Sequence, residues 1–217
     1  MPHRNAKLLI VDDEAPTRAL LSQIFRKMGH DVRSAEDGFA ALEQIRSEVP
    51  DILLSDLNMP RMSGFELLSV VRRRMPNIYV IASSGAFSGG EVPHGIAADA
   101  FYEKATGLGT LFQILAAAPS EPVRAGSDAS TPIWISPSRR DAASVAKVLV
   151  TCPECMRAFS LTVGAADFVI REAHCVYCET AIHYATVQPM NPARPHRFHA
   201  KSNGSAAFTG EAGELQL

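Results

Sequence analysis

Short apolar runs alternate with longer stretches of helical period through the first half of the chain. Lys7–Val11 (KLLIV) and the run at 52–54 (ILL) carry no polar break, which predicts strands buried on both faces of a sheet. Asp31–Ala35 and the runs at 78–82 and 100–102 predict three more. Between them, Leu20, Leu21, Ile24, Phe25 and Met28 recur at helical spacing, with Pro16 suited to a first turn and Gly29 to a stop. Ala40, Ala41, Leu42 and Ile45 mark a second helix before Pro50, and 64–75 a third before Pro76. Leu111, Phe112, Ile114 and Leu115 mark a last helix before Pro119. Strands and helices alternating at these lengths predict βαβ units: an α/β fold with a doubly wound, five-stranded parallel sheet.

The 217 residues, 47% hydrophobic and 20% charged, have room for this domain and a small second one. Basic and acidic residues nearly balance everywhere: 12 against 14 over 1–118, 3 against 3 over 119–144, and 6 against 6 over 145–217. No segment has the positive excess typical of nucleic-acid binders. The apolar run before the first acids is too short for a signal-peptide core, and no stretch approaches the ~20 apolar residues that span a membrane. A cytoplasmic protein with no membrane partner is the expectation.

The chemistry gathers at the strand ends. Lys7–Val11 runs into Asp12 and Asp13, the run at 52–54 leads to Asp56, the fourth strand ends at Ser83 and Ser84, and the fifth ends near Lys104. Singly, each has an ordinary reading as a solvated acid, a capping serine or a solvated lysine. Together they set three carboxylates, a hydroxyl and an ammonium on the C-terminal edge of one sheet, where open α/β sheets bind ligands. Crowded acids repel unless a cation joins them.

The run SDLNMPRMSG after the third strand, with the acidic pair, the serine and the lysine, resembles the receiver domain of two-component response regulators over about residues 7–117. The resemblance implies a flavodoxin-like receiver in which Asp56 accepts a phosphoryl group. It also implies that Asp12, Asp13, Asp56 and the Asn58 main-chain carbonyl hold Mg²⁺, and that Lys104 pairs with the phosphoryl group. Ser84 is then the switch hydroxyl and Phe101 the switch aromatic, and the donor is a histidine kinase or phosphotransfer protein. Two departures fall between Ser84 and Ala105. Gly89, Gly90 and Pro93 weaken any helix there, and Ala105 stands where the family usually has proline.

Residues 119–144, rich in Ser, Pro, Ala and Arg, read as a linker interrupted by Ile133, Trp134 and Ile135, with the tryptophan expected to pack on one of the domains. All four cysteines follow, as Cys152-x-x-Cys155 and Cys175-x-x-Cys178. In a reducing compartment this spacing points to zinc before disulfides, although a rubredoxin-like iron site uses the same ligands. Alternation at Phe159, Leu161 and Val163, a turn at 164–167, a return at 168–170 and a strand from 181 to 187 make residues 145–187 look like a small β zinc-ribbon domain. Four thiolates close a tetrahedral shell, so the Zn²⁺ is structural. His174 and His183 are spare donors. Residues 188–217 read as a disordered tail, with a basic stretch at 194–201.

The function that follows is a response regulator, not an enzyme beyond its own phosphoryl transfer and hydrolysis, signalling through a ribbon that docks an unidentified protein partner. The alternative is a transcription regulator whose ribbon and basic tail bind nucleic acid; no helix-turn-helix pattern follows the linker.

Overall fold

The computed structural model describes residues 5–85, 96–119, 132–135, 145–164 and 169–186. Five parallel strands, β1 (Lys7–Val11), β2 (Asp31–Ala35), β3 (Ile52–Asp56), β4 (Tyr79–Ser84) and β5 (Ala100–Glu103), form a sheet of order β2-β1-β3-β4-β5. The switch of order between β1 and β3 opens a crevice at the C-terminal edge. Successive residues of β1 serve opposite faces: Leu8 and Ile10 pack with Leu21 and Phe25 of α1 (Ala15–Lys27) and Leu111 of α4 (Leu108–Ala117). Leu9 and Val11 pack with Ala41, Leu42 and Ile45 of α2 (Gly38–Ser47) and with Phe65 and Leu68 of α3 (Gly64–Arg74). The unbroken apolar runs are thus explained by burial on both sides.

Local chemistry sets the helix bounds. Pro16 lies in the first turn of α1, and Gly29, at φ 92°, follows its C-terminus. Asp37 caps α2 by accepting from the Ala40 N–H at 2.8 Å, and Ser63 caps α3 by accepting from the Glu66 N–H. The segment between Ser84 and Lys104 that was expected to hold a weak helix falls largely at 86–95, outside the described residues.

The second half is built of β-strands. β7 (Val145–Thr151) and β8 (Ala158–Gly164) form an antiparallel hairpin, while β6 (Ile133–Ile135), β10 (Ala181–Thr186) and β9 (Arg171–His174) form a separate three-stranded sheet. β6 comes from within the stretch read as linker and pairs in parallel with β10, Trp134 opposite Ala185. β9 starts at Arg171, opposite Tyr184, so Val169 and Ile170, read as part of a returning strand, precede it and are exposed. Residues 165–168 and 187–217, the turn and the tail of the sequence reading, lie outside the described residues.

This β unit sits on α3. Every residue from Gly64 to Val71 is buried. One side of the helix faces the parallel sheet, and the other meets Trp134 and Met156, which pack against the same core cluster. The Trp134 N–H donates to Ser69 Oγ at 3.3 Å, and the Thr151 N–H donates to a Glu66 carboxyl oxygen at 2.9 Å.

Candidate functional site

The strand register brings the expected acids to one edge. Val11 aligns with Ser55, Asp56 with Ser83, and Ser84 with Glu103, so the residues leaving β1, β3 and β5 emerge at a common level. There Lys104, which opens a short 3-10 turn after β5, places Nζ 2.7 Å from one Asp56 carboxylate oxygen and 2.9 Å from one of Asp12. Asp13 completes the group, and one oxygen from each of Asp12, Asp13 and Asp56 lies within 4.8 Å of the others. Asp12 and Asp56 are buried and Asp13 is exposed, which leaves the cluster open to solvent on one side. Hard oxygen ligands so gathered fit a small divalent cation that keeps several waters.

Electrostatics follow from burial. Desolvation pushes the Asp56 carboxyl up, with Lys104 and the Asn58 N–H only partly restoring it. Desolvation also raises Asp13. For Lys104, burial pulls the pKa down, but the Asp56 and Asp12 carboxylates outweigh it and hold the ammonium charged. The backbone around the pair is fixed: the Glu14 N–H donates to Asp12 at 2.8 Å, and Arg18 donates to the Asp12 carbonyl at 2.7 Å.

The loop after β3 has a packing reason for each conspicuous residue. Leu57, Met59 and Met62 are buried and anchor it, and Met62 lies where a side chain at Gly38 would intrude, 2.7 Å from a β-carbon built there. Arg61 adopts φ 66° and pairs with the buried Asp37 and, at 3.1 Å, with Glu36. Gly64 admits no side chain, because a β-carbon there would run into the Asp56 carbonyl oxygen. Its N–H donates to the Leu57 carbonyl, while the Leu57 N–H donates to Ser83. α3 therefore begins in direct backbone contact with Asp56.

Ser84 ends β4, fully buried, and Phe101 is half-buried in β5 against the cluster on the α2–α3 side. Asn58 is exposed at the mouth of the site and donates its N–H to Asp56 at 3.3 Å.

The four cysteines form a second cluster. Cys152 and Cys178 Sγ atoms are 3.7 Å apart, and Cys155 and Cys175 are 3.6 Å apart. A tetrahedron of thiolates at about 2.3 Å from zinc has edges of about 3.8 Å, so the spacing fits that ion. Each Cys-x-x-Cys turn has the same backbone pattern. The Met156 N–H donates to Cys152 and the Cys152 N–H to Arg157; correspondingly, the Glu179 N–H donates to Cys175 and the Cys175 N–H to Thr180. The residue after each pair, Met156 and Glu179, takes φ 58°. Burial drives the Cys152 thiol up, whereas hydrogen bonding with Thr180 brings Cys178 down. His174 and His183 stand by Glu172, at 3.8 and 3.6 Å, outside the cysteine cluster.

Glu66 was not singled out from the sequence. It is 2% exposed in the first turn of α3, and burial pushes its carboxyl up to about 8, with the Thr151 N–H as a counterweight. The trace it leaves in the sequence is GFELLSVV, whose apolar residues cover more of the helix than one face requires. Arg73 is half-buried at that interface, with its Nε buried and 3.7 Å from Glu154.

Residues 8–115 match the response regulator receiver domain family. The chain is 40% identical over 77 residues to sporulation initiation phosphotransferase F of Bacillus subtilis, covering 36% of this chain and 62% of that protein. It is 38% identical over 86 residues to protein-glutamate methylesterase/protein-glutamine glutaminase 1 of Anaeromyxobacter dehalogenans, covering 40% of this chain and 25% of that protein. The chain thus spans less than two thirds of either relative. Among solved structures, the chemotaxis response regulator CheY4 of Vibrio cholerae aligns at 28% identity over 52% of this chain and 98% of that one, with a TM-score of 0.49. The family match covers the stretch that carries Asp12, Asp13, Asp56 and Lys104, and residues 8–115 are a response regulator receiver domain.

Proposed function

We propose that this protein is a phosphorylation-dependent switch in which Asp56 accepts a phosphoryl group and the four-cysteine β unit carries the output. The observation that carries the reading is the convergence of Asp56, Asp12, Asp13 and Lys104 within hydrogen-bonding or metal-sharing distance of one another. Asp12, Asp13 and Asp56, with the Asn58 carbonyl, are the ligands for Mg²⁺. The bound ion would neutralise the charge that gathers as a phosphoryl group approaches. An Asp56 carboxylate oxygen is the nucleophile: its bond to phosphorus forms as the bond to the donor breaks, and water later hydrolyses the acyl phosphate. Lys104 pairs with the added charge, Ser84 supplies a hydroxyl to the phosphoryl oxygens, and Phe101 repacks on the same side of the sheet. The donor is a histidine kinase or phosphotransfer protein.

In the same reading, residues 1–118 are the receiver, 119–144 a connection and 145–187 a zinc-ribbon-like unit. Cys152, Cys155, Cys175 and Cys178 hold one Zn²⁺, supported by the tetrahedral sulfur spacing and the matched turns. With all four positions filled by thiolates the ion is structural, and output is the docking of a protein partner.

The test is labelling by a small phosphodonor with Mg²⁺, read by intact mass and peptide mapping. A single added phosphoryl group on Asp56, absent in Asp56→Asn, is the expected result; label persisting in Asp56→Asn overturns the assignment. Zinc is measured separately, by metal analysis of protein purified under reducing conditions, with one ion per chain expected.

A further inference from the structure

Two stretches of the β unit meet α3: β6, which makes the more extensive contact, and 151–156, which also carries two of the four thiols. Within 151–156, Thr151 donates its N–H to Glu66, Glu154 pairs with Arg73 and Arg74 at 3.7 and 3.4 Å, and Met156 packs against the receiver core. Cys152 and Cys155 lie between these residues, in the turn closed by the Met156 N–H to Cys152 bond. β6 carries Trp134 and is held by β10, the strand that follows the second cysteine pair. Polar groups on both sides of this surface meet in the contact. Glu66 is buried with Thr151 as its hydrogen-bonding partner, and the buried Arg73 Nε has the Glu154 carboxylate as its nearby counter-charge. Separation would return Glu66 and Arg73 to water but would expose the apolar surfaces of Trp134 and Met156 and the α3 face they cover, so closure rests on that apolar packing.

We propose that the outer face of α3 is a docking surface whose occupant is this chain's own β unit, seated through β6 and the first cysteine turn, and that the contact closes when the cysteines hold metal and opens when they do not. The inference rests on reading the four cysteines as a metal site. A β unit this small has little core of its own, so metal loading fixes the turn that presents Thr151, Glu154 and Met156 together. Linkage makes the relation mutual: closing on α3 raises the affinity of the cysteines for metal by the same factor that metal raises closure. Because α3 starts against Asp56 at Gly64, the clasp lies one helix away from the phosphoacceptor.

Trp134 is the chain's one tryptophan and sits in the contact, which makes its emission a direct reporter. In the full chain, zinc is removed with a chelator under reducing conditions and restored by titration. Emission, acrylamide quenching and amide exchange across 64–74 are followed. The expected result is a red shift, stronger quenching and at least about tenfold faster exchange in the outer half of α3 on metal removal, all reversed by Zn²⁺. Glu154→Lys, which leaves every cysteine in place, is expected to reproduce the open-state emission with metal bound and to weaken zinc affinity. Stoichiometric loss of zinc with unchanged Trp134 emission and unchanged α3 exchange overturns the clasp while leaving the metal site standing. Absence of bound metal in the purified protein overturns the metal reading and the clasp with it. Phosphodonor labelling of Asp56 in each sample reports whether the receiver is folded, so that a general loss of structure is recognised as such.

Discussion

Lys104 and Asp56, 48 residues apart in sequence, meet at 2.7 Å because the β3-β4-β5 pairing brings the two strand ends to one level. The ammonium offsets part of the desolvation that raises the Asp56 carboxyl. Lys104→Met should therefore shift the onset of Asp56 labelling to higher pH and slow it by about 10²-fold, the scale seen when one positioned electrostatic group is removed. Labelling rates measured across pH with a small phosphodonor check this; an unchanged profile counts against a role for the lysine.

In the proposed reading, Asp13 bears on metal rather than on the phosphoryl group. It belongs to the carboxylate cluster, while Lys104 donates to Asp12 and Asp56, so Asp13→Ala should weaken Mg²⁺ affinity without abolishing transfer. Titrating Mg²⁺ at fixed phosphodonor should show a raised half-saturation point and recovery of labelling at high Mg²⁺.

Gly64 is fixed by contact with the strand that bears Asp56. Gly64→Ala should destabilise the receiver by roughly 1–3 kcal/mol, as overpacking of a tight site does, and should reduce labelling in the fraction that remains folded. Urea denaturation gives the first quantity and Asp56 labelling the second. Alanine at Gly109, where a β-carbon meets nothing within 4 Å, is the control that should leave both nearly unchanged.

Glu66 predicts a pH dependence with a definite sign. Its carboxyl titrates near 8 when buried against Thr151, compared with 4.5 as the ordinary value. A raised carboxyl contributes fully below pH 4.5, loses its contribution progressively as pH rises, and has lost it above about 8. Stability or closure of the contact should therefore fall between pH 5 and pH 9 by about a few kcal/mol at most, and Glu66→Gln should flatten that fall. Trp134 emission at a series of pH values separates the two proteins.

Much of this architecture was legible from strand ends and cysteine spacing. KLLIV and ILL stated double burial, and the acids that follow them converge at one sheet edge as their strand-end positions implied. The loop residues Met59, Met62 and Gly64 were legible as a motif, while their reasons, burial of the methionines and the approach of Gly64 to Asp56, are three-dimensional. Trp134 was expected to pack on one of the domains and does so on α3, but the part Glu66 plays there was not anticipated, because it looks like a solvent-facing residue of a first helical turn and its partner Thr151 lies 85 residues away. The same limit applies to Ile133 and Ile135: three residues in a polar stretch say little about strand pairing when the partner strand lies some fifty residues further on.

α3 belongs to two cores at once. Its inner side completes the packing beneath the parallel sheet, and its outer side completes the packing of Trp134 and Met156. The usual practice of excising a receiver at the end of its last helix would therefore leave a wettable gap over Glu66, Ser69 and Arg73. Such a fragment is a different physical object from the receiver in the whole chain, and measurements on it describe a helix with one of its walls removed.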